Sequence, residues 1–250
     1  MGKYRPKLLS VAGFDPSGGA GILADIKTFE QHRCLGFSVC TTITYQNEKR
    51  FDGLDFLPWD SVEKQLAMLA EEHQMDFIKI GLVKDLEFLL GLLGSLRSHF
   101  PKAIIVWDPI VKASAGYTFW KSMDHILSVM REVDYITPNW DEALLLFEPN
   151  EGEDLVKLIQ AKGLDTKIIL KGGHNPDKPG VDYLISEGMV YPFNPKKTDI
   201  RPKHGSGCIF SSAFSANLAN GYPPIKSVIR AKNYTLDRLL SNDSLLAYHK

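Results

Sequence analysis

The chain has 250 residues, 44% of them hydrophobic, enough for one large α/β core or two small ones. Its 29 basic and 30 acidic residues leave a formal net charge of −1, which excludes the basic stripe of a nucleic-acid binder. Three scattered cysteines (Cys34, Cys40 and Cys208) with no CxxC pair exclude a disulfide framework and a structural zinc site, and no apolar run approaches the roughly 18 residues of a membrane span.

The first apolar run, 8–12, is too short for a signal-peptide core with its cleavage site, so a cytoplasmic protein is expected. It reads as a buried strand leading into Gly13-Phe-Asp-Pro-Ser-Gly-Gly-Ala-Gly21. Such a glycine-rich loop lets backbone approach a ligand. No Gly-Lys-Ser/Thr follows, so it is not a P-loop, and a turn with a helix cap is the plainer alternative. In the following helix Ile22, Leu23, Ile26 and Phe29 share a face, and Asp25 taken alone reads as solvated.

Residues 37–43 read as the next strand. Beyond its end, Gln46 and Asn47 carry the donors and acceptors that read a heteroaromatic ring, with a polar loop as the alternative. Val62, Leu66 and Leu69 mark a helix, and 77–80 and 103–107 mark strands. Asp108 follows the second of these, where an acid organises Mg²⁺ around phosphates or caps the next segment. After a strand at 135–137, Asn139 and Glu142 have capping-box spacing, and the functional alternative has Glu142 holding waters on Mg²⁺.

A less regular helix face at Val156, Leu158 and Ile159 precedes a strand at 167–170. That strand ends in Lys171-Gly-Gly-His174, where Lys171 would neutralise a phosphate. Residues 182–193 read as a β-hairpin turning at Glu187-Gly188, placed at a sheet edge because Pro192 would interrupt a central ladder. A Pro/Lys-rich loop, 194–203, leads to His204-Gly-Ser-Gly-Cys208 and a helix with apolar positions at Ile209, Phe210, Ala213, Phe214 and Leu218. Backbone N–H groups stacked at a helix start form an anion site. In that first turn the Cys208 thiol is expected to have a lowered pKa and to act as nucleophile or base.

Strand–helix alternation reads as a parallel sheet with helices on both faces, and each motif falls at a strand C-terminus, the ligand edge of such a sheet. No linker or repeat divides the chain, so one domain over 1–250 is expected.

Gly13…Gly21 with Asp25, Tyr45-Gln46-Asn47, Lys79-Ile-Gly81, Asp108-Pro109, Thr137-Pro-Asn-x-x-Glu142, Lys171-Gly-Gly-His174 and His204-Gly-Ser-Gly-Cys208 stand in a specific order. In that order the chain resembles, over 8–218, the hydroxymethylpyrimidine/phosphomethylpyrimidine kinases of the ribokinase-like superfamily, which serve thiamine synthesis. The resemblance implies a ribokinase-like three-layer α/β/α sandwich with a mostly parallel central sheet and a small edge β-hairpin. It implies Mg²⁺- and ATP-dependent phosphorylation of the hydroxymethyl group of a pyrimidine, or of its monophosphate, by a homodimer.

By the same resemblance the pyrimidine would lie near Gly13, Asp25, Gln46, Gly81 and Val111. ATP would lie along Lys171, Asn139, the hairpin, Gly205, Ser206 and Gly207, and Cys208 would be the base where sugar kinases of the superfamily have Asp. Asp108 and Glu142 would organise Mg²⁺, largely through water. The chain departs from the family pattern at Ser206, Leu82 and Val111, and 199–203 lacks the usual Asn-Thr before His204. A pyridoxal or pyridoxine kinase, and a non-catalytic nucleotide- or vitamin-binding regulator, are the alternatives. Loops 48–52 and 112–118 are expected to fold over the substrate and exclude water.

Overall fold

The computed structural model describes residues 4–111, 126–197 and 200–249. In chain order its elements are β1 (Lys7–Phe14), α1 (Gly21–Gln31), β2 (Leu35–Gln46), β3 (Phe51–Phe56), α2 (Trp59–Glu72), β4 (Phe77–Ile80), α3 (Leu86–His99), β5 (Ile104–Trp107) and α4 (Ile126–Glu132). Then come β6 (Tyr135–Ile136), α5 (Trp140–Phe147), α6 (Leu155–Ala161), β7 (Lys167–Leu170), β8 (Asp182–Ser186), β9 (Met189–Phe193), α7 (Ser206–Ala219) and α8 (Pro224–Leu239). The strands form one sheet in the order β3-β2-β1-β4-β5-β6-β7-β8-β9.

The six strands from β2 to β7 in that order, β3 excluded, pair in parallel. Their C-terminal ends therefore share one edge. Side chains alternate across the sheet. Leu9, Val11, Ile78, Ile80, Ile105, Trp107, Ile168 and Leu170 pack on one face with Leu66, Leu89, Met130, Leu146 and Ile159 from α2–α6. On the other face Val106 and Ile169 meet Phe210, Phe214 and Val228, while Leu8 meets Phe29 and Ala216. That face carries α1, α7 and α8, so the chain is a three-layer α/β/α sandwich. Each such fully buried Leu, Ile or Phe contributes about 2 kcal/mol by leaving water.

Helix α7 is buried from Cys208 to Asn217 on every side, beyond the single apolar face expected, because it lies between the sheet and both α1 and α8. Its polar side chains satisfy themselves locally: Ser215 Oγ donates to Ser211 O (2.8 Å) and Asn217 Nδ2 to Ala213 O (2.7 Å).

The β8–β9 hairpin turns through Glu187 and Gly188, both at positive φ, and β9 is an edge strand that accommodates Pro192. The opposite edge differs from expectation. Residues 48–52 are not a free loop but the tip of a second hairpin, β2–β3, whose turn Asn47 closes by accepting from Lys49 N and Arg50 N (both 2.9 Å). Residues 112–118 lie outside the described residues. No helix among the described residues is long and apolar enough to cross a membrane.

Candidate active site

The C-terminal strand ends open into a cavity of about 1040 Å³, with two glycine-rich loops in its wall. The first, after β1, is organised by Asp15, which is 1% exposed. Its carboxylate accepts from Ser17 N (2.9 Å), Ser17 Oγ (2.8 Å) and Ala20 N (2.9 Å), and its Oδ2 meets His204 Nε2 at 2.8 Å. Burial works against the carboxylate's charge, yet His204, Ser17 and Ala20 hold it below its ordinary pKa.

The second loop docks on the first. Gly205, the N-cap of α7, has φ +76°, and a Cβ there would fall 1.9 Å from Gly19 O. Only glycine allows both the conformation and the contact. The first turn of α7, whose N–H groups lack acceptors within the helix, thereby faces the cavity. A Cβ on Gly207 would lie 3.3 Å from Lys171 Nζ, so the lysine at the end of β7 sits against this turn.

A chain of alternating buried charges runs beneath. Ser10 Oγ (2.6 Å) and Ser212 Oγ (2.5 Å) donate to Asp25. Lys79 Nζ lies 3.0 Å from Asp25 Oδ2 and 4.0 Å from Asp108 Oδ2. Asp108 also accepts from Lys171 Nζ (2.9 Å), Thr137 Oγ1 (3.1 Å) and Ser211 Oγ (3.1 Å). Burial disfavours the charges of Asp108, Lys79 and Lys171, but their partners prevail: Lys171 and Lys79 hold Asp108 below its ordinary pKa, and the carboxylates hold both lysines above theirs.

Cys208 corrects the sequence expectation. Its thiol is 6% exposed, and burial pushes its pKa up to about 11, with Asp25 and Asp108 adding to the rise. Lys79 and a hydrogen bond from the Gly21 backbone oppose this without reversing it. Desolvation thus outweighs the helix N-terminus, and the resting thiol is protonated at neutral pH.

Glu142 fills the structural role its spacing suggested and also lines the cavity. Asn139 N donates to Glu142 Oε2 (2.7 Å) and Glu142 N to Asn139 Oδ1 (2.8 Å), a complete capping box on α5. Burial pushes the Glu142 carboxyl up to about 7; Lys171 opposes the rise and Asp108 adds to it.

Residues 15–249 match the family model for phosphomethylpyrimidine kinase. The chain belongs to that family. It is 30% identical over 248 residues to the hydroxymethylpyrimidine/phosphomethylpyrimidine kinase of Aquifex aeolicus, covering 95% of each chain. The solved phosphomethylpyrimidine kinase of Clostridium difficile superposes with a TM-score of 0.77 at 29% identity, over 93% of this chain and 99% of that one. A pyridoxal kinase from Staphylococcus aureus in complex with pyridoxal gives a TM-score of 0.81 at 26% identity, over 99% and 94%. The chain is accordingly a phosphotransferase on the α/β fold of these neighbours.

In this chain Gly13, Gln46, Asp108, Val111, Asn139, Glu142, Lys171, Gly205, Ser206, Gly207 and Cys208 all line the same cavity. Two residues expected at the pyrimidine do not. Asp25 is neither solvated nor in the cavity wall; it is fully buried beneath, paired with Lys79. Gly81 is also absent from the wall: a Cβ there would fall 2.9 Å from Ala12 Cβ and 3.1 Å from Lys79 Nζ, so its smallness seats the lysine. Sequence reasoning assigned no role to Asp15, Lys79, Ser211 or Ser212. Asp-Pro-Ser at 15–17 did carry the signature of an Asx turn, and adjacent serines in an otherwise apolar helix signalled polar partners.

Proposed function

We propose that the protein transfers a phosphoryl group from Mg²⁺-bound ATP to the hydroxymethyl group of hydroxymethylpyrimidine, or to its monophosphate, in thiamine synthesis. The observation that carries this reading is that one cavity joins Gln46, at the end of β2, to the first turn of α7 and Lys171. The Gln46 amide matches the donors and acceptors of a pyrimidine edge. The nucleotide phosphates would lie along Lys171, Asn139, Ser206 and Gly207.

The residues act chiefly by alignment and charge stabilisation, which is most of what phosphoryl transfer needs. Amides of the α7 turn hold the equatorial oxygens, each such donor contributing about 3 kcal/mol in comparable oxyanion sites. Lys171, itself oriented by Asp108, adds positive charge. Forming a thiolate at pH 7 from a group titrating near 11 costs about 5 kcal/mol. Only the minor thiolate form of Cys208 can accept the hydroxyl proton, and it would do so late, once bonding to phosphorus has acidified the attacking oxygen.

The donor set fits a divalent cation. Among the described residues no cluster of three or more His, Cys, Asp or Glu side chains is suited to a metal, but Asp108 and Glu142 both line the cavity and disfavour each other's charge. Mg²⁺ characteristically uses one or two carboxylates plus substrate phosphates. Asp108 and Glu142 would hold it, and it would supply neutralisation of phosphate charge. The free thiols Cys34, Cys40 and Cys208 agree with a reducing cytoplasm. The homodimer belongs to the same reading and is checked by sedimentation.

The pyridoxal-bound neighbour, similar over 99% of this chain, supports pyridoxal as a second acceptor. The test supplies hydroxymethylpyrimidine, its monophosphate and pyridoxal in turn with Mg-ATP and follows ADP. Both pyrimidines should show higher kcat/KM than pyridoxal. A preference for pyridoxal, or no ADP with any acceptor, overturns the assignment. Cys208→Ala should lower kcat about 10²- to 10⁴-fold with nucleotide still bound. If the thiolate is the base, wild-type kcat rises about tenfold per pH unit from 7 toward 10 as its fraction grows. A flat profile removes Cys208 from proton transfer.

A further inference from the structure

Lys203, two residues before the phosphate cradle formed by residues 205–208, is a buried charge that the mechanism above leaves unused. It is 6% exposed and lines the cavity. Its ammonium donates to Asn242 Oδ1 (2.7 Å), Asn242 O (2.8 Å) and Ser244 O, which uses all three protons. All three acceptors are neutral amide oxygens, and among the described residues no carboxylate pairs with the ammonium. An anion in the cavity would supply counter-charge, and burying an ion without one is costly.

The C-terminal segment that supplies these oxygens is itself hydrogen-bonded. Ser244 N donates to Asn242 Oδ1, Leu246 N to Ser244 Oγ and Tyr248 N to Ser241 Oγ, each at 2.9 Å. It grips the cradle at two more points. His204 N donates to Leu245 O at 2.9 Å. A Cβ on Gly19 would meet His204 Cδ2 at 2.6 Å and Leu246 Cδ2 at 2.7 Å, so the first glycine loop is held between the histidine and the C-terminal segment.

We propose that Lys203 is a positioning residue for phosphoryl transfer: it ties residues 242–246 across the cradle as a strap that holds His204 and Gly205 against the first glycine loop. The inference rests on the reading of residues 205–208 as the phosphate site. It assigns the resemblance's departure before His204 a function, since Lys203 and Asn242 form one linkage. Misplacement of a catalytic site by about 1 Å costs on the order of a hundredfold in rate.

The test measures ADP binding by calorimetry and kcat for Lys203→Met, Asn242→Ala and the double variant, at temperatures where circular dichroism shows each folded. Each single variant should weaken ADP binding by about tenfold and lower kcat by up to about a hundredfold. The double variant should be no worse than the worse single, because both break one linkage. A role in stability alone would lower Tm and leave ADP affinity unchanged, which overturns the proposal, as does full additivity of the two substitutions. If Lys203→Met does not fold, truncation after Ser241, which removes all three acceptors, decides by itself: wild-type ADP affinity and kcat overturn the strap. Failure of the wild-type protein to phosphorylate any acceptor instead refutes the reading of function, while ADP affinity still reports on the strap.

Discussion

The two faces of the sheet are built from the same strands and are both largely apolar, but they differ where β1 and β4 meet α1 and α7. Beneath α2–α6, Leu9, Val11, Ile78, Ile80, Ile105 and Trp107 make a dry apolar layer. On the other face, in the same strands, Ser10 and Lys79 join Asp25 of α1 and Ser212 of α7, with Asp108 just beyond β5. One residue of register separates core from charge, because side chains alternate. The lesson is that a parallel strand can supply stability with the positions on one face and site electrostatics with the alternating positions on the other. Buried ion pairs are weak contributors to stability compared with apolar packing, so the polar face is explained by what it positions, Asp108 and Lys171.

Breaking the polar face should have the largest effect. Lys79→Met leaves Asp25 buried with only Ser10 and Ser212 as partners, and stability in urea should fall by about 3–5 kcal/mol. Replacing both members, Lys79→Met with Asp25→Leu, should recover most of that loss without recovering kcat. A double variant as unstable as the single would erase the distinction between the faces.

Glu142 gives a smaller effect with a defined pH window. It titrates near 7 in the fold against an ordinary 4.5, so the folded chain binds an extra proton between those values. Its contribution to stability is complete below pH 4.5 and lost as pH rises through 7, a change of about 3 kcal/mol. In metal-free buffer, Glu142→Gln should flatten stability across that window relative to wild type; parallel curves would refute the shift. Smallest is the apolar face itself. Ile78→Val should cost about 1 kcal/mol in urea with kcat unchanged, and a large loss of kcat would mean the faces are not functionally separate.

Much of the architecture was legible because it is local. The glycine loop at 13–21, the cap at Asn139 and Glu142, the hairpin at 182–193 and the helix after Gly205 each announce themselves within a few residues. Strand β3 was not legible: Asp52, Gly53 and Asp55 are poor strand formers, and pairing with β2 at the edge overrides that preference. The cavity wall was largely legible too, since strand ends converge in a parallel sheet. Asp25 and Gly81 lie outside the cavity wall, each against Lys79 of β4.

By itself the sequence determined the strand–helix alternation, the family and the residue types gathered at one sheet edge, all of which follow from short-range pattern. Only the tertiary structure decided the protonation of Cys208, the pairing of Asp25 with Lys79 and the lacing of Lys203 to Asn242. Desolvation and ion pairing are set by neighbours in space, and here those neighbours lie tens to hundreds of residues apart along the chain.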